Sequence, residues 1–201
     1  ENYLVQELGD IGKRIHVGRS RNDQILTDMR LFSKAEIKRA QKELLKTAET
    51  LLEFARENEF VPLPGFTHMQ YAMPSSFGQW SGAFIESLIN DFSILETAYN
   101  LNNQNPLGSG SGFGSSVPLD REKTTEILDF ERVQINPVYC QNSRGKIESF
   151  TITALLQVMI TLGKLANDLV IFYSQEFGYI SVDSSLTTGS SKKKKKRNLD
   201  I

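Results

Sequence analysis

Apolar positions recur at spacings of three and four along three long stretches of this chain. No stretch shows the period-two alternation of a half-buried strand. The first runs from about Asp23 to Glu57, with Ile25, Met29, Phe32, Ile37, Leu44, Leu45, Leu51, Leu52 and Phe54 drifting around one face and Lys and Glu opposite. Neither Pro nor Gly interrupts it, and at 1.5 Å per residue it would reach roughly 50 Å, the scale of a bundle rod. The second, about Ser76 to Asn102, repeats Phe77, Trp80, Phe84, Leu88, Phe92 and Leu95. The third, about Gly145 to Glu176, is apolar nearly all round in its second half (Leu162, Leu165, Leu169, Val170, Ile171, Phe172) and so requires cover on most sides. The expected fold is all-α, a long-helix bundle. Three rods in one chain cover each other only partly, so other copies or further segments are expected to complete the burial.

Between the rods, Val61–Pro74 reads as a loop bounded by prolines and Asn105–Ser116 as a Gly/Ser-rich loop. Gly at that density supplies unusual backbone conformations or lets a ligand or another chain come close. A short helix is expected near Asp120–Leu128, an irregular stretch over Glu131–Ser143, and a loop from Gly178 to Ile201.

Composition narrows the class. With 201 residues, 39% hydrophobic and 23% charged, the chain is an ordinary globular one. A lone Cys140 excludes an intrachain disulfide framework and suits a reducing compartment. No basic-then-apolar leader is recognisable, and the most apolar window, Phe150–Tyr173, carries Gln157, Lys164, Asn167 and Asp168, which argues against a membrane span. The net charge of −1 conceals a basic run, Lys192–Arg197; residues 1–191 carry 17 basic and 23 acidic side chains. That acidic body argues against a nucleic-acid surface. A cytoplasmic protein without nucleic-acid or membrane partners is expected.

Three junctions could carry chemistry. His16-Val-Gly-Arg-Ser-Arg-Asn-Asp23 precedes the first rod, whose free N–H groups and dipole attract anions; Arg19 and Arg21 would suit a carboxylate or phosphate. The same residues also read as a solvated cap, with Ser20, Asn22 or Asp23 as the capping side chain. Thr67-His68 sits on a short stiff segment, as a general acid or base would need, although a loop His is also commonly structural. Thr187-Thr-Gly-Ser-Ser191 is hydroxyl-rich, which also suits a plain turn. No paired-Cys/His spacing, no HExxH and no phosphate-cradling Gly-Lys loop occurs, so no metal site is expected.

Together and in this order, the three junctions resemble the argininosuccinate lyase family of the fumarase/aspartase superfamily. Gly18-Arg-Ser-Arg-Asn-Asp-Gln24 resembles its first signature, Pro64-Gly-Phe-Thr-His-Met-Gln70 its second, and Gly189-Ser-Ser191 with Lys196-Arg-Asn198 its third. Asn105-Pro-Leu-Gly-Ser-Gly110 and Ser174-Gln-Glu-Phe-Gly178 are also family-like. The resemblance implies a single partial domain over 1–201, the central helical bundle, with upstream and downstream parts of a longer protein missing. It implies residues 178–201 as a catalytic-loop region.

The implied reaction is reversible elimination of argininosuccinate to arginine and fumarate, without cofactor, in a homotetramer whose sites each draw on three subunits. By motif position Ser190 would be the proton-abstracting base and His68 its acid partner or orienting residue. Thr67 would bind a carboxylate, Ser20, Arg21 and Asn22 the substrate, and Lys196 and Asn198 its succinyl end. Lys192–Lys195 depart from the pattern, which has an apolar residue, Met, Pro and a variable residue there. This polylysine tract, 192–196 with Lys196, is expected to weaken or abolish turnover. Two other expectations stand beside the lyase: a non-catalytic structural protein on the same scaffold, like the delta-crystallins, and a lyase releasing fumarate from another substrate.

Overall fold

The computed structural model describes residues 2–183 and 185. Helix α1 (Asn2–Leu8) and a 3-10 helix (Gly9–His16) lead into α2, Arg21–Glu57. A hairpin of β1 (Pro62–Thr67) and β2 (Gln70–Ser76) connects α2 to α3, Phe77–Asn102. The return passes through β3 (Gln104–Asn105), α4 (Arg121–Ile127), β4 (Arg132–Val133) and α5 (Pro137–Asn142) into α6, Lys146–Phe172. The three rods and the short helix stand within a few residues of where apolar spacing predicts them. The last rod stops at Phe172 rather than Glu176 because the chain turns: the N–H groups of Tyr179 and Ile180 both donate to Phe172 O, folding the tail back over the helix end.

Helix α3 lies between α2 and α6 and is antiparallel to both. Its seam is heptad-spaced: Ile37 and Leu44 on α2 meet Leu88 and Leu95 on α3, and Ala98 and Ala154 are fully buried. Small residues there let α3 and α6 approach, and each buried Leu contributes about 1.5–3 kcal/mol relative to exposure. Polar pairs fix the register. Trp80 Nε1 donates to Asp168 (2.9 Å), Thr161 Oγ1 to Asp91 (2.6 Å) and Asn102 Nδ2 to Thr151 Oγ1 (2.9 Å), one pair near each end and one between.

The outer face of α6 has no cover among the described residues. Ile152, Leu156, Met159 and Val170 stand exposed along it at coiled-coil spacing, and Val170 is 71% accessible. On length and composition alone α6 could also cross a membrane, with 17% of its most apolar window buried.

The Val61–Pro74 stretch, expected as a loop, is a two-stranded antiparallel hairpin. Prolines 62, 64 and 74 hide it from propensity, and the ribbon is mostly exposed, so no alternation of apolar residues marks it. What holds it is aromatic packing. Phe66 touches Tyr71, Phe177 and Tyr179, while Phe77 below contacts Phe54, Trp80 and Phe172. The irregular stretch likewise contains α5, and Gln104–Asn105 pairs in parallel with Arg132–Val133.

Candidate active site

The first cluster forms where α2 begins. Ser20 is its N-cap: Asn22 N–H donates to Ser20 Oγ (3.2 Å), and Ser20 N–H donates to Asp23 Oδ1 (2.9 Å) as the other half of a capping box. Arg21 and Asn22 in the first turn are exposed, and Arg144 Nη2 reaches Asn22 O at 3.3 Å.

Asp23 is fully buried, and its second carboxylate oxygen accepts from the N–H groups of Gly108 (3.0 Å) and Gly110 (2.8 Å). Both glycines have positive φ, +84° and +62°, which turns their N–H groups toward one point. Of the two expectations for the glycine loop, unusual backbone conformation or close approach of a ligand or another chain, the positive φ values bear out the first, and the loop folds around a carboxylate of its own protein.

The loop is braced from behind. Arg121 donates from Nε to Leu107 O (2.9 Å) and from Nη2 to Gln134 O (2.8 Å), and Asn105 Nδ2 reaches Thr125 Oγ1 at 2.8 Å. Arg30, also fully buried, donates to Leu101 O (2.9 Å) and Ser143 Oγ (2.9 Å). Burial pulls its pKa down, with Glu148 opposing. These side chains weld the ends of α2 and α3 to the connecting segment. Beside them a cavity of about 370 Å³ is lined by Arg14, Arg19, Arg121 and Gly108, with Asp120 as its one carboxylate, a net cationic lining that suits an anion.

The second cluster lies at the far end of α2. The β1–β2 hairpin pairs Thr67 with Gln70, leaving His68 and Met69 as a two-residue turn. Both have positive φ, 52° and 62°, the signature of a primed turn, which here holds no Gly or Asn. His68 is therefore presented at the apex of a stiff projection, and its ring makes no hydrogen bond among the described residues. Tyr179 and Phe177 against Phe66 carry the tail past this hairpin.

Sequence reasoning placed Ser20, Arg21, Asn22, Thr67 and His68 in one site, and a single chain does not bring them together. The first three stand at the start of α2 and the last two beyond its end. Ser190, Lys196 and Asn198 lie outside the described residues. Asp23 was read only as a candidate cap, and its partners Gly108 and Gly110, with Arg121 behind them, were not singled out as bracing the Ser20–Asn22 turn. The capping-box spacing of Ser20 and Asp23 was legible, but nothing local ties Asp23 to a loop 85 positions away.

A family model described as Lyase matches residues 2–199. The chain belongs to this lyase family. A curated argininosuccinate lyase of Phocaeicola vulgatus is 46% identical over 201 residues, all of this chain and 45% of that protein. One of Thermotoga neapolitana is 42% identical over 191 residues, 95% of this chain and 48% of the relative. This lyase-family chain therefore spans about half the length of the curated relatives it matches. Among solved structures, an EDDS lyase in complex with formate superposes with a TM-score of 0.89 at 22% identity, over 93% of this chain and 37% of that one. A fumarate lyase:delta crystallin from Brucella melitensis gives 0.73 at 22% identity, over 92% and 43%. At such identities the likeness is one of fold, and it places this lyase-family chain among all-α helical-bundle lyases.

Proposed function

We propose that the whole protein catalyses reversible elimination of argininosuccinate to arginine and fumarate, as a cytoplasmic homo-oligomer, most simply a tetramer. The observation carrying this reading is the 41–46% identity to curated argininosuccinate lyases along essentially the entire chain. Its support in the molecule is that the capped turn at Arg21–Asn22 and the hairpin apex at Thr67–His68 are held by hydrogen-bonded structure and stand exposed.

The chemistry asks for a base that removes a proton from the carbon next to a carboxylate. It also asks for donors that stabilise the resulting aci-carboxylate, and for a proton delivered to the departing guanidinium nitrogen as the C–N bond breaks. Ser190 takes the base role and His68 the acid or orienting role, with the imidazole projected from the turn apex. Thr67 binds a carboxylate, Ser20, Arg21 and Asn22 hold the substrate, and Lys196 and Asn198 bind the succinyl end. Ser20 and Asn22 stand at a helix N-terminus, where the free N–H groups and dipole favour anions.

Fumarate release followed by absorbance, on the protein at its natural length, tests the reading. Lys192–Lys195 are expected to depress turnover, and Lys193→Met with Lys194→Pro should raise kcat by about tenfold or more. His68→Asn in that background should lower it by about 10²-fold or more. No fumarate from the double variant would refute the lyase reading and favour a non-catalytic scaffold protein, the second reading that the lysine run supports.

A further inference from the structure

We propose that Asp23 is the positioning residue of the Ser20–Asn22 half-site: an internal anion, permanently seated in a backbone cradle, whose charge fixes where the substrate-binding turn stands. The proposal deepens the lyase reading and rests on it for the identity of the substrate.

The glycine loop is built as an anion receptor. Positive φ at Gly108 and Gly110 aims their N–H groups at one oxygen of Asp23. A side chain at Gly110 would put its Cβ 2.7 Å from Gly114 O, and one at Gly108 would meet Arg121 Cγ at 3.1 Å, so the cradle tolerates only glycine. The receptor is stationary because Arg121 and Asn105 bind its flanks to Gln134, Leu107 and Thr125.

The occupant is Asp23, fully buried, and among the described residues its carboxylate accepts only from backbone N–H groups, those of Ser20, Gly108 and Gly110. One carboxylate oxygen grips the loop and the other grips Ser20 N–H, so the carboxylate is a bracket between an immobile platform and the exposed turn. Thr27 Oγ1 anchors the bracket's own backbone by donating to Asp23 O at 2.7 Å. Besides the Ser20 cap, Gln24 N–H donates to Ser20 O (3.2 Å), Arg19 N–H to His16 O (3.2 Å) and Arg144 to Asn22 O (3.3 Å), and of the ties on this turn only Asp23 joins it to the glycine loop among the described residues. Hydrogen bonds to a charged acceptor are the strong ones, and a neutral amide of the same shape brings two donors to face the cradle's N–H groups. Charge rather than volume therefore sets the geometry.

The test uses the protein at its natural length in the Lys193→Met/Lys194→Pro background, whose otherwise unmutated form is the wild type of the comparison. Asp23→Asn should raise KM for argininosuccinate by about tenfold or more, the scale of one hydrogen bond to a charged group, while kcat changes by less than about threefold. Asp23→Ala empties the cradle. Formate, small enough to enter it, should raise that variant's Tm and return its KM toward the wild-type value, after correction for formate competing with substrate in the wild type.

An Asp23→Asn enzyme with KM within about twofold of wild type overturns the proposal. So does an Asp23→Ala protein whose Tm and KM ignore formate, or one that loses kcat alone. If the Lys193→Met/Lys194→Pro parent produces no fumarate, the lyase reading falls. The formate-dependent Tm of Asp23→Ala then decides by itself whether a charge belongs in the cradle.

Discussion

Mixing two crippled copies of this protein should restore activity, and the expected amount follows from the length of α2. That helix has 37 residues, so it is about 55 Å long. Asn22 stands at its start, and His68 lies in the hairpin that follows its end. A six-residue strand folding straight back would recover about 20 Å, leaving on the order of 35 Å between side chains that must come within hydrogen-bond reach of one substrate. On the proposed site assignment, the two residues would then come from different copies, because no single copy closes that gap.

Asn22→Ala and His68→Asn proteins, each in the Lys193→Met/Lys194→Pro background, should separately be nearly inactive. After joint denaturation and refolding at equal concentrations, random assembly leaves about one site in four with both residues intact. Fumarate absorbance should therefore recover to about a quarter of the unmutated rate. A mixture no more active than the sum of the two variants would refute the argument, because that is what copies holding both residues in one site would give.

Three further predictions concern elements described above. Met69→Gly removes a side chain from a positive-φ turn position and should stabilise the fold by about 1 kcal/mol while leaving His68 less firmly presented, so Tm should rise as kcat falls; both moving together would contradict the strained turn. Gly110→Ala combines positive φ with a Cβ 2.7 Å from Gly114 O and should cost on the order of 1–3 kcal/mol in chemical denaturation, and an unchanged midpoint would show the cradle is looser than described. Burial pushes the Cys140 thiol above its ordinary 9.0. The folded state then holds its proton where the unfolded state has lost it, so stability is full below about pH 9 and declines as pH climbs toward the raised value. A pH series of Tm would show this, and Cys140→Ala should flatten the alkaline decline.

Rods were legible because their signal is long and periodic. Leu88 and Leu95, or Ile37 and Leu44, repeat a burial every two turns over many residues, and the cap at Ser20 announces where α2 starts. The hairpin was not legible. Its turn is His-Met rather than Asn-Gly, its strands carry prolines, and its stability comes from Phe66 meeting Phe177 and Tyr179 over a hundred positions away. The site divides the same way. Ser20–Asn22 and Thr67–His68 could be named as motifs, because their chemistry is local. The bracket formed by Asp23 could not, because an aspartate after a cap has an ordinary local explanation, and its partners appear only when the chain returns through Gly108.

The unbroken run of α2 makes its residue count a dimension of the assembled protein. Each residue inserted between Arg30 and Phe54 would lengthen the spacer by about 1.5 Å and rotate one end against the other by about 100°. A single insertion would turn the His68 hairpin away from its present heading relative to the Ser20 turn, whereas seven would restore that heading and leave only an offset of roughly 10 Å. The helix is a ruler, and its markings come in sevens.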